Sequence, residues 1–246
     1  MRSIAEFDEA MRHAALGMND CAISRLTGIP RSTIRDWRVK GPTNGHGQCP
    51  ICDGAELPCR DYAYLLGLYL GDGCLTAAPR GVFKLRITLD QKYPGIIREA
   101  GEAIRAMRPR GAMTIGQVRR PGCIEVNAHW KHWPCLFPQH GPGVKHRRKI
   151  ELAPWQMGIL EEWPGGLLRG LIHSDGYRGA NKVKVRGKSY AYSRYQFCNY
   201  SADIRGIFCW ACDFYGVGWR RMNERTIAVS RRADVAKLDE IIGPKR

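Results

Sequence analysis

The chain has 246 residues, enough for one large domain or two small ones, and its 39 Lys and Arg against 23 Asp and Glu give a formal net charge of +16. Such an excess of positive charge indicates a polyanionic partner, most simply nucleic acid. The longest apolar stretch, residues 62–70, is far shorter than the ~20 residues of a membrane-spanning helix, and the acidic N-terminus lacks a signal-peptide core. We therefore expect no contact with a membrane and a cytoplasmic protein, prokaryotic or phage and associated with the nucleoid, whose cysteines stay reduced.

The positive charge is confined to the later part of the chain. Residues 1–60 contain 8 basic and 7 acidic residues, a balance of +1, whereas residues 61–246 contain 31 and 16, a balance of +15. We therefore expect the larger, later part to contact nucleic acid over an extended surface.

Residues 1–40 are predicted to form a small helical domain with three short helices. Within it, Ser24, Gly28 and Ile34 have helix-turn-helix spacing, because a small residue permits close helix crossing and glycine permits the turn. Residues 23–34 resemble the helix-turn-helix of resolvase-like and transposase-like proteins. If this segment reads DNA, the side chains that point at it are Arg31, Ser32, Thr33 and Arg35. A helical cap without DNA contact is the alternative.

Residues 41–60 form a linker rich in Gly, Pro and Cys. Cys49-Pro50-Ile51-Cys52 resembles a zinc knuckle, since a gap of two residues lets both thiolates meet one tetrahedral ion. His46 and Cys59 are the candidates to complete a structural Zn²⁺ site, and thiols without metal are the alternative. Cys209 and Cys212 have the same gap but lie in a predicted helix rich in Phe and Trp, where core packing is the better interpretation.

Two matching segments dominate the rest of the chain: residues 65–73 read LLGLYLGDG and residues 168–176 read LRGLIHSDG. Their aspartates, Asp72 and Asp175, are 103 residues apart (175 − 72). A repeat at that distance indicates a duplicated domain, with halves at residues 61–155 and 156–246.

The predicted elements follow the same order in both halves: helix, two strands, helix, two strands, helix. In the first half the clearest predictions are a helix over 60–71, a strand over 82–90, a helix over 93–107, a hairpin over 112–119 and 123–127, and a short helix over 130–137. In the second half they are a helix over 165–174, strands over 182–186 and 190–199, a helix over 203–215, a hairpin over 219–232 and a helix over 233–242. The fold class is therefore α+β, with tandem pseudo-symmetric αββαββα repeats.

The small residues of each motif are placed for helix contact. Gly67 and Gly71 are four apart, as are Gly170 and Ser174, so that two helices can pack closely along these faces. The two aspartates then emerge side by side at helix C-terminal ends, where the helix dipole and their mutual repulsion both disfavour negative charge. A divalent cation relieves both penalties, and a site with one or two carboxylates suits Mg²⁺.

These motifs resemble those of the LAGLIDADG homing endonucleases, in the single-chain form with two motifs, over residues 61–246. The resemblance implies a monomer with internal two-fold pseudo-symmetry whose two four-stranded sheets form a saddle over double-stranded DNA. It also implies a nuclease in which the last acid of each motif, here Asp72 and Asp175, binds Mg²⁺ and directs water onto a phosphodiester.

The family also has supporting residues near the acids. Gln91 matches a glutamine that positions water, whereas the second half has Asn199-Tyr200-Ser201 there and departs from the pattern. Lys145 and Lys245 match a lysine that follows the last strands, with Lys149 a competitor for the first.

The alternating strands supply the expected DNA-facing side chains. These are Lys84, Arg86 and Thr88 in the first half and Lys182, Lys184, Arg186 and Lys188 in the second. A solvated sheet face is the alternative, which the scarcity of acids there disfavours.

Two other functions compete with a nuclease. Some transcription regulators join a LAGLIDADG-like domain to a helix-turn-helix and no longer cleave DNA, although such regulators tend to lose both acids, which this chain keeps. A splicing cofactor that binds RNA is the third hypothesis, because the strand pattern does not separate DNA from RNA.

Overall fold

The computed structural model describes residues 4–41, 49–108, 113–243 and 245. The chain divides into two units, residues 1–56 and residues 57–246. Within the described ranges, no helix combines the length and the apolar character that crossing a membrane requires.

The first unit is helical. Its described helices are α1 (Ile4–Ala15), α2 (Asp20–Thr27), α3 (Arg31–Lys40) and the short α4 (Pro50–Asp53). Asn19 caps α2 by accepting a hydrogen bond from the Ala22 N–H, and Gly28 ends it with a φ of 71°, a conformation that glycine adopts without strain. The core includes Ile23, Ile34 and Trp37, so that Ile34 and Trp37 point inward as their spacing predicts.

Two buried helices form the centre of the second unit: α5 (Cys59–Asp72) and α9 (Pro164–Asp175). Every residue from 62 to 70 of α5 is buried, because the helix is covered on all sides and carries apolar residues all round. Each helix ends at its Asp-Gly pair, where the chain turns directly into a strand.

Each central helix is followed by a four-stranded antiparallel sheet. The first has the order β1-β2-β4-β3 and the second β5-β6-β8-β7. Their strands are β1 (Gly73–Ala78), β2 (Val82–Asp90), β3 (Gly116–Arg120), β4 (Cys123–Trp130), β5 (Gly176–Val185), β6 (Lys188–Cys198), β7 (Arg220–Arg221) and β8 (Thr226–Val229). The predicted α+β class with two such sheets is confirmed.

The remaining described helices are α6 (Pro94–Ala106), α7 (Trp133–Leu136), α8 (Pro154–Glu162), α10 (Ala202–Phe214) and α11 (Arg232–Ile242). Four of them pack against the sheets and one, α8, packs against the central helices α5 and α9. Helices α6 and α10 begin and end within one residue of their predicted limits. Helix α8 was not predicted, because its apolar residues do not keep to one face. Strand β5 begins six residues before its predicted start, because Gly179 and Ala180 hide the alternation.

Candidate active site

The central helices α5 and α9 touch backbone to backbone at their crossing. A Cβ atom on Gly67 would lie 2.5 Å from the Leu167 carbonyl oxygen, and one on Gly170 would lie 2.2 Å from that of Tyr64. No side chain larger than hydrogen fits at either place, since the obstructing atoms belong to the backbone. The closeness of the helices thus rests on two glycines, one from each repeat.

One turn later the same contact brings the two aspartates together. A Cβ atom on Gly71 would lie 2.1 Å from Ser174 Oγ and 3.1 Å from Asp175 Oδ2. The Ser174 hydroxyl is directed back into its own helix, where Gly170 and Leu171 supply carbonyl acceptors at 3.0 Å. Asp72 follows Gly71 directly, so the carboxylates leave the paired helix ends side by side.

This placement is electrostatically unfavourable for two negative charges. Burial and, to a smaller extent, the neighbouring Asp175 raise the pKa of Asp72 to about 7, against the opposing charges of Lys145 and Lys245. Burial also raises the pKa of Asp175, an effect reduced by Asn199, whose Nδ2 donates to Asp175 Oδ2 at 2.6 Å. The pair therefore favours either a shared proton or a bound cation.

Two lysines approach the acids from opposite repeats. Lys145 Nζ donates to the carbonyls of Tyr69, Leu70 and Gly71 at 2.5, 2.9 and 2.8 Å, and so binds the negative end of α5. Burial lowers the pKa of Lys145 to about 8, against the charges of Asp175 and then Asp72, which raise it.

Lys245 has the corresponding place in the other repeat. Its Nζ donates to the Gly176 carbonyl at 2.6 Å. Burial lowers the pKa of Lys245, while Asp72 and then Asp175 raise it. Both lysines lower the pKa values of both aspartates, and Lys145 has the larger effect on each.

A cavity opens on each side of the acid pair. One, of about 480 Å³, is lined by Asp175, Asn199, Tyr200, Lys145, His146 and Arg148 among others. The other, of about 440 Å³, is lined by Asp72, Asp90, Thr88, Tyr93 and Lys245 among others. The first therefore has more cationic groups, and the second has an additional carboxylate.

Solved structures with the same architecture include mesophilic variants of the homing endonuclease I-DmoI, with a TM-score of 0.50, 14% identity, and coverage of 76% of this chain and 97% of that one. A structure of I-DmoI in complex with DNA and Mn matches with the same score and identity, over 76% and 98% of the two chains. The chain has the LAGLIDADG fold. The N-terminal LAGLIDADG domain of DUF199/WhiA matches less closely, with a TM-score of 0.46, 13% identity, and coverage of 81% and 88%. No protein-family model and no curated protein matches the sequence.

At the glutamine position, the residues near the acids are not the ones that the LAGLIDADG pattern predicts. Gln91 lines a separate cavity beside α6, together with Lys92 and Arg98, whereas the preceding residue, Asp90, lines the cavity of Asp72. Asn199, which departs from the pattern, binds Asp175 directly. The glutamine predicted to position water, Gln91, therefore faces a different cavity. Asp90 lines the cavity of Asp72 instead, and Asn199 contacts Asp175.

Of the two lysines that competed in the first LAGLIDADG repeat, only Lys145 lies at the acids. Lys149 is exposed and pairs with Glu151 at 2.5 Å. His146, Arg148 and Tyr200, which line the cavity of Asp175, were not selected from the sequence as site residues. His146 and Arg148 lie in the basic run 145–149, and a linear run does not show which of its side chains point into a cavity.

The outward face of the first sheet has an internally paired charge cluster. Lys84 donates to Glu125 at 2.8 Å, while Arg120 and Arg86 lie 3.5 and 3.9 Å from the same carboxylate. Burial alone would raise the pKa of Glu125, but the Lys84 hydrogen bond and the three positive charges outweigh it and lower the pKa. Arg86 also donates to Cys74 Sγ at 3.1 and 3.3 Å. Thr88 is exposed on the same strand.

The basic residues expected to face DNA in the second sheet do not share one face. Arg178 and Tyr195 are cross-strand partners, and both reach Asp239 on α11, so their face is the one that the helices cover. Because side chains alternate along a strand, Lys182 and Lys184 lie on the same face as Arg178. The cross-strand register places Lys188 on the opposite face. Arg186 lies in the turn with a φ of 48°.

In the first unit, the residues expected to read DNA lie in the first turn of α3. Arg31, Ser32 and Arg35 are exposed and Thr33 is half-buried. Of the two cysteines of the knuckle, Cys49 caps the N-terminus of α4 and Cys52 lies within it, and the Cys52 N–H donates to Cys49 Sγ at 3.4 Å. Cys59 belongs to the second unit and donates to the Leu57 carbonyl, and His46 lies outside the described residues.

Proposed function

We propose that this chain is a site-specific, metal-dependent endonuclease of homing type that hydrolyses phosphodiester bonds in double-stranded DNA. The observation that carries the proposal is the pairing of Asp72 and Asp175 at the ends of α5 and α9, each facing a lysine from the other repeat. Like charges held together at helix C-terminal ends are costly to maintain, and a cation-binding site is a function that accounts for them.

The donor set fits Mg²⁺. Asp72 and Asp175 are partly buried carboxylates whose pKa values are raised chiefly by burial, and carboxylates with water and phosphate are the ligands that Mg²⁺ prefers. When bound, the metal supplies an activated water and stabilises the departing oxygen. Lys145 and Lys245 offset negative charge on a phosphate in each cavity. Asn199 holds the Asp175 carboxylate in a fixed orientation.

Three further features support DNA as the substrate. The homing endonuclease I-DmoI, which shares the fold, has been crystallised with DNA and Mn. The part of the chain beyond residue 60 has an excess of fifteen positive charges, from 31 basic and 16 acidic residues. Lys84 and Arg86 alternate on the outward face of the first sheet, and the β5–β6 hairpin of the second sheet has lysines on both faces, which suits contact with phosphates and base edges. We propose that the protein acts as a monomer because it has two motifs.

We further propose that α2 and α3 read additional DNA through Arg31, Ser32, Thr33 and Arg35. The α2 cap, the left-handed Gly28 and the exposed first turn of α3 are features that a recognition helix needs. A non-cleaving regulator would use the same helices and sheets. The two aspartates favour the nuclease, since a binding protein has no need of costly paired carboxylates.

We also propose a structural Zn²⁺ at Cys49 and Cys52. The Cys52 N–H that donates to Cys49 Sγ lowers the pKa of that thiol, whereas burial has the larger effect and raises it, so a bound cation would be needed to favour the thiolate. His46 and Cys59 are the predicted remaining ligands, and His132 and Cys135 are a second pair in the chain with the same gap of two residues. Elemental analysis of Cys52→Ser, Cys59→Ser and Cys135→Ser assigns the ligands, with Cys21→Ser as control.

The deciding experiment is selection and cleavage on a randomised double-stranded DNA library, with Mg²⁺, Ca²⁺ or EDTA. We expect binding in all three and breaks at one long site only with Mg²⁺. Asp72→Asn and Asp175→Asn should abolish cutting and keep binding, whereas Glu240→Gln, an exposed acid on α11, should change neither. Specific binding without breaks in Mg²⁺ or Mn²⁺ would instead support the regulator, and preference for RNA of the selected sequence would support the splicing cofactor.

A further inference from the structure

The β5–β6 hairpin extends well beyond the sheet to which it belongs. Strand β6 pairs with β5 along the whole length of β5, but within the described part of the chain β8 pairs only with Tyr195–Cys198. Residues 180–193 therefore form a two-stranded ribbon, roughly 20 Å long at the usual rise of a strand. The major groove of B-DNA admits an element of this width.

The ribbon and its base contain no acidic residue. Residues 176–198 include no Asp or Glu, and their charged residues are all Lys or Arg. Such a segment is complementary in charge to a polyanion over its entire length. This separates it from the first sheet, whose outward cations share Glu125.

The two faces of the ribbon differ in chemistry. Cross-strand partners in an antiparallel pair point to the same side, so the register assigns each residue to a face. The face that continues the helix-covered side carries Lys182 and Lys184 beside Ala191 and Ser189. The opposite face, here called the tyrosine face, carries Tyr177, Asn181, Lys188, Tyr190, Tyr192, Arg194 and Gln196.

The aromatic rings of the tyrosine face are open to solvent. Tyr177, Tyr192 and Tyr190 are exposed by 61%, 55% and 42%, and the rings of Tyr190 and Tyr192 are stacked with centroids 6.3 Å apart. The Tyr177 ring lies over Gly179, where a Cβ atom would come within 2.1 Å of its Cε1. The two stacked rings on β6 and the third ring on the same face of β5 are exposed apolar groups within a basic surface, an arrangement that marks a binding surface.

We propose that the tyrosine face reads thymine 5-methyl groups in the major groove of one half-site, while Lys182 and Lys184 on the other face bind the flanking phosphates. The thymine methyl is the apolar group that a base pair exposes in this groove, and an aromatic ring covers it with little loss of side-chain entropy. The long lysine stems let the ammonium groups reach phosphates at the groove walls. The inference rests on the DNA binding of the proposed function and is independent of cleavage.

The test compares a randomised duplex library containing thymine with one in which deoxyuridine replaces every thymine, which removes the methyl groups and leaves base pairing intact. The wild-type protein should enrich thymine at adjacent positions on one side of its site. Binding to the selected duplex should weaken about fourfold for each methyl group lost.

Two variants separate the faces. The double variant Tyr190→Ala/Tyr192→Ala, which removes both rings of the ribbon, should bind thymine and deoxyuridine duplexes equally while keeping the wild-type dependence on salt. Lys182→Ala, one strand away on the opposite face, should keep the preference for thymine and lower the slope of log affinity against log salt by about one. Circular dichroism spectra that match the wild type establish that each variant is folded.

Each other result has a definite meaning. Equal wild-type binding to both duplexes, or a double tyrosine variant that remains sensitive to deoxyuridine, overturns the inference and leaves the proposed function standing. Absence of binding to any duplex overturns both. Tighter binding to single-stranded than to duplex DNA overturns groove reading, since the rings would then stack on unpaired bases.

Discussion

Asp90 and Gln91 are adjacent residues whose side chains line different cavities, and under the proposed function only Asp90 is placed to act at the Asp72 site. Asp90 lines the Asp72 cavity, and the Lys92 N–H donates to its Oδ1 at 2.9 Å. We predict that Asp90→Asn slows cutting of one strand by about 10²-fold, the range for loss of a positioned proton acceptor. Gln91→Ala should change the rate little. Supercoiled plasmid carrying the target reports this as accumulated nicked circles, and equal slowing of both strands would contradict the assignment.

Lys145 has a structural role that its sequence position did not reveal. Its ammonium group satisfies three carbonyl oxygens at the end of α5, whereas Lys245 binds one at the start of β5. We predict that Lys145→Met lowers the free energy of unfolding by about 2 kcal/mol, because it leaves partly buried carbonyls unsatisfied. Lys245→Met should cost clearly less. Urea unfolding at pH 7 measures both, and equal costs would show that the three hydrogen bonds do not matter.

At the level of single residues, the site residues that could be predicted from the sequence were those that occur at equivalent positions in both repeats. Asp72 and Asp175 were found because two motifs end in the same pair of letters. Asp90, Asn199 and His146 occur once each and have no counterpart of the same type, so no repetition pointed to them. Their contribution depends on side-chain direction at the end of a strand or in a loop, which the alternation of a strand fixes only while the strand continues.

At the level of elements, the glycines of the crossing helices make a sharp prediction. In α5 and α9, Gly67→Ala or Gly170→Ala would force a Cβ atom into backbone atoms that cannot yield, and we expect a loss of at least about 2 kcal/mol. Gly206 in α10 is the matched control, since nothing lies within 4 Å of its missing Cβ. There Gly→Ala should stabilise the protein by about 0.5–1 kcal/mol. Thermal unfolding of the three variants compares them, and similar shifts would argue against the close crossing.

The strands and helices also show where the hydrophobic pattern of the sequence is sufficient to predict the limits of an element and where it is not. Strand β2 was predicted from clean alternation, and α6 from its apolar face, and both lie within a residue or two of their expected limits. Strands β1 and β5 start directly at Gly73 and Gly176, where small residues replace the alternating pairs, and β1 was not delimited at all. The face on which Lys182 and Lys184 lie is set by the register of β5 with β6, which starts at Gly176, a start that the sequence pattern did not reveal. The order of elements was therefore predictable from the sequence, and the facing of the second ribbon was not.

At the scale of the whole molecule, we predict that the acid pair couples folding, pH and metal. Burial and the neighbouring Asp175 raise the pKa of Asp72 from its ordinary value of 3.8 to about 7, so the folded protein holds an extra proton between these limits. Stability from this group is fully present below about pH 4 and is lost as pH rises through 7. Without metal, we predict that the unfolding temperature falls between pH 5 and pH 8 more steeply than in Asp72→Asn.

Mg²⁺ should reverse this trend, because a cation binds the deprotonated pair and releases the proton that Asp72 holds. Apparent Mg²⁺ affinity, read from the rise in unfolding temperature, should therefore increase with pH up to about 7 and level off above it. Asp72→Asn and Asp175→Asn should each show a smaller rise at every pH, whereas Glu240→Gln should behave as wild type. A metal response independent of pH from 5 to 8 would mean that the cation binds elsewhere. The two aspartates would then be an ordinary buried pair sharing one proton.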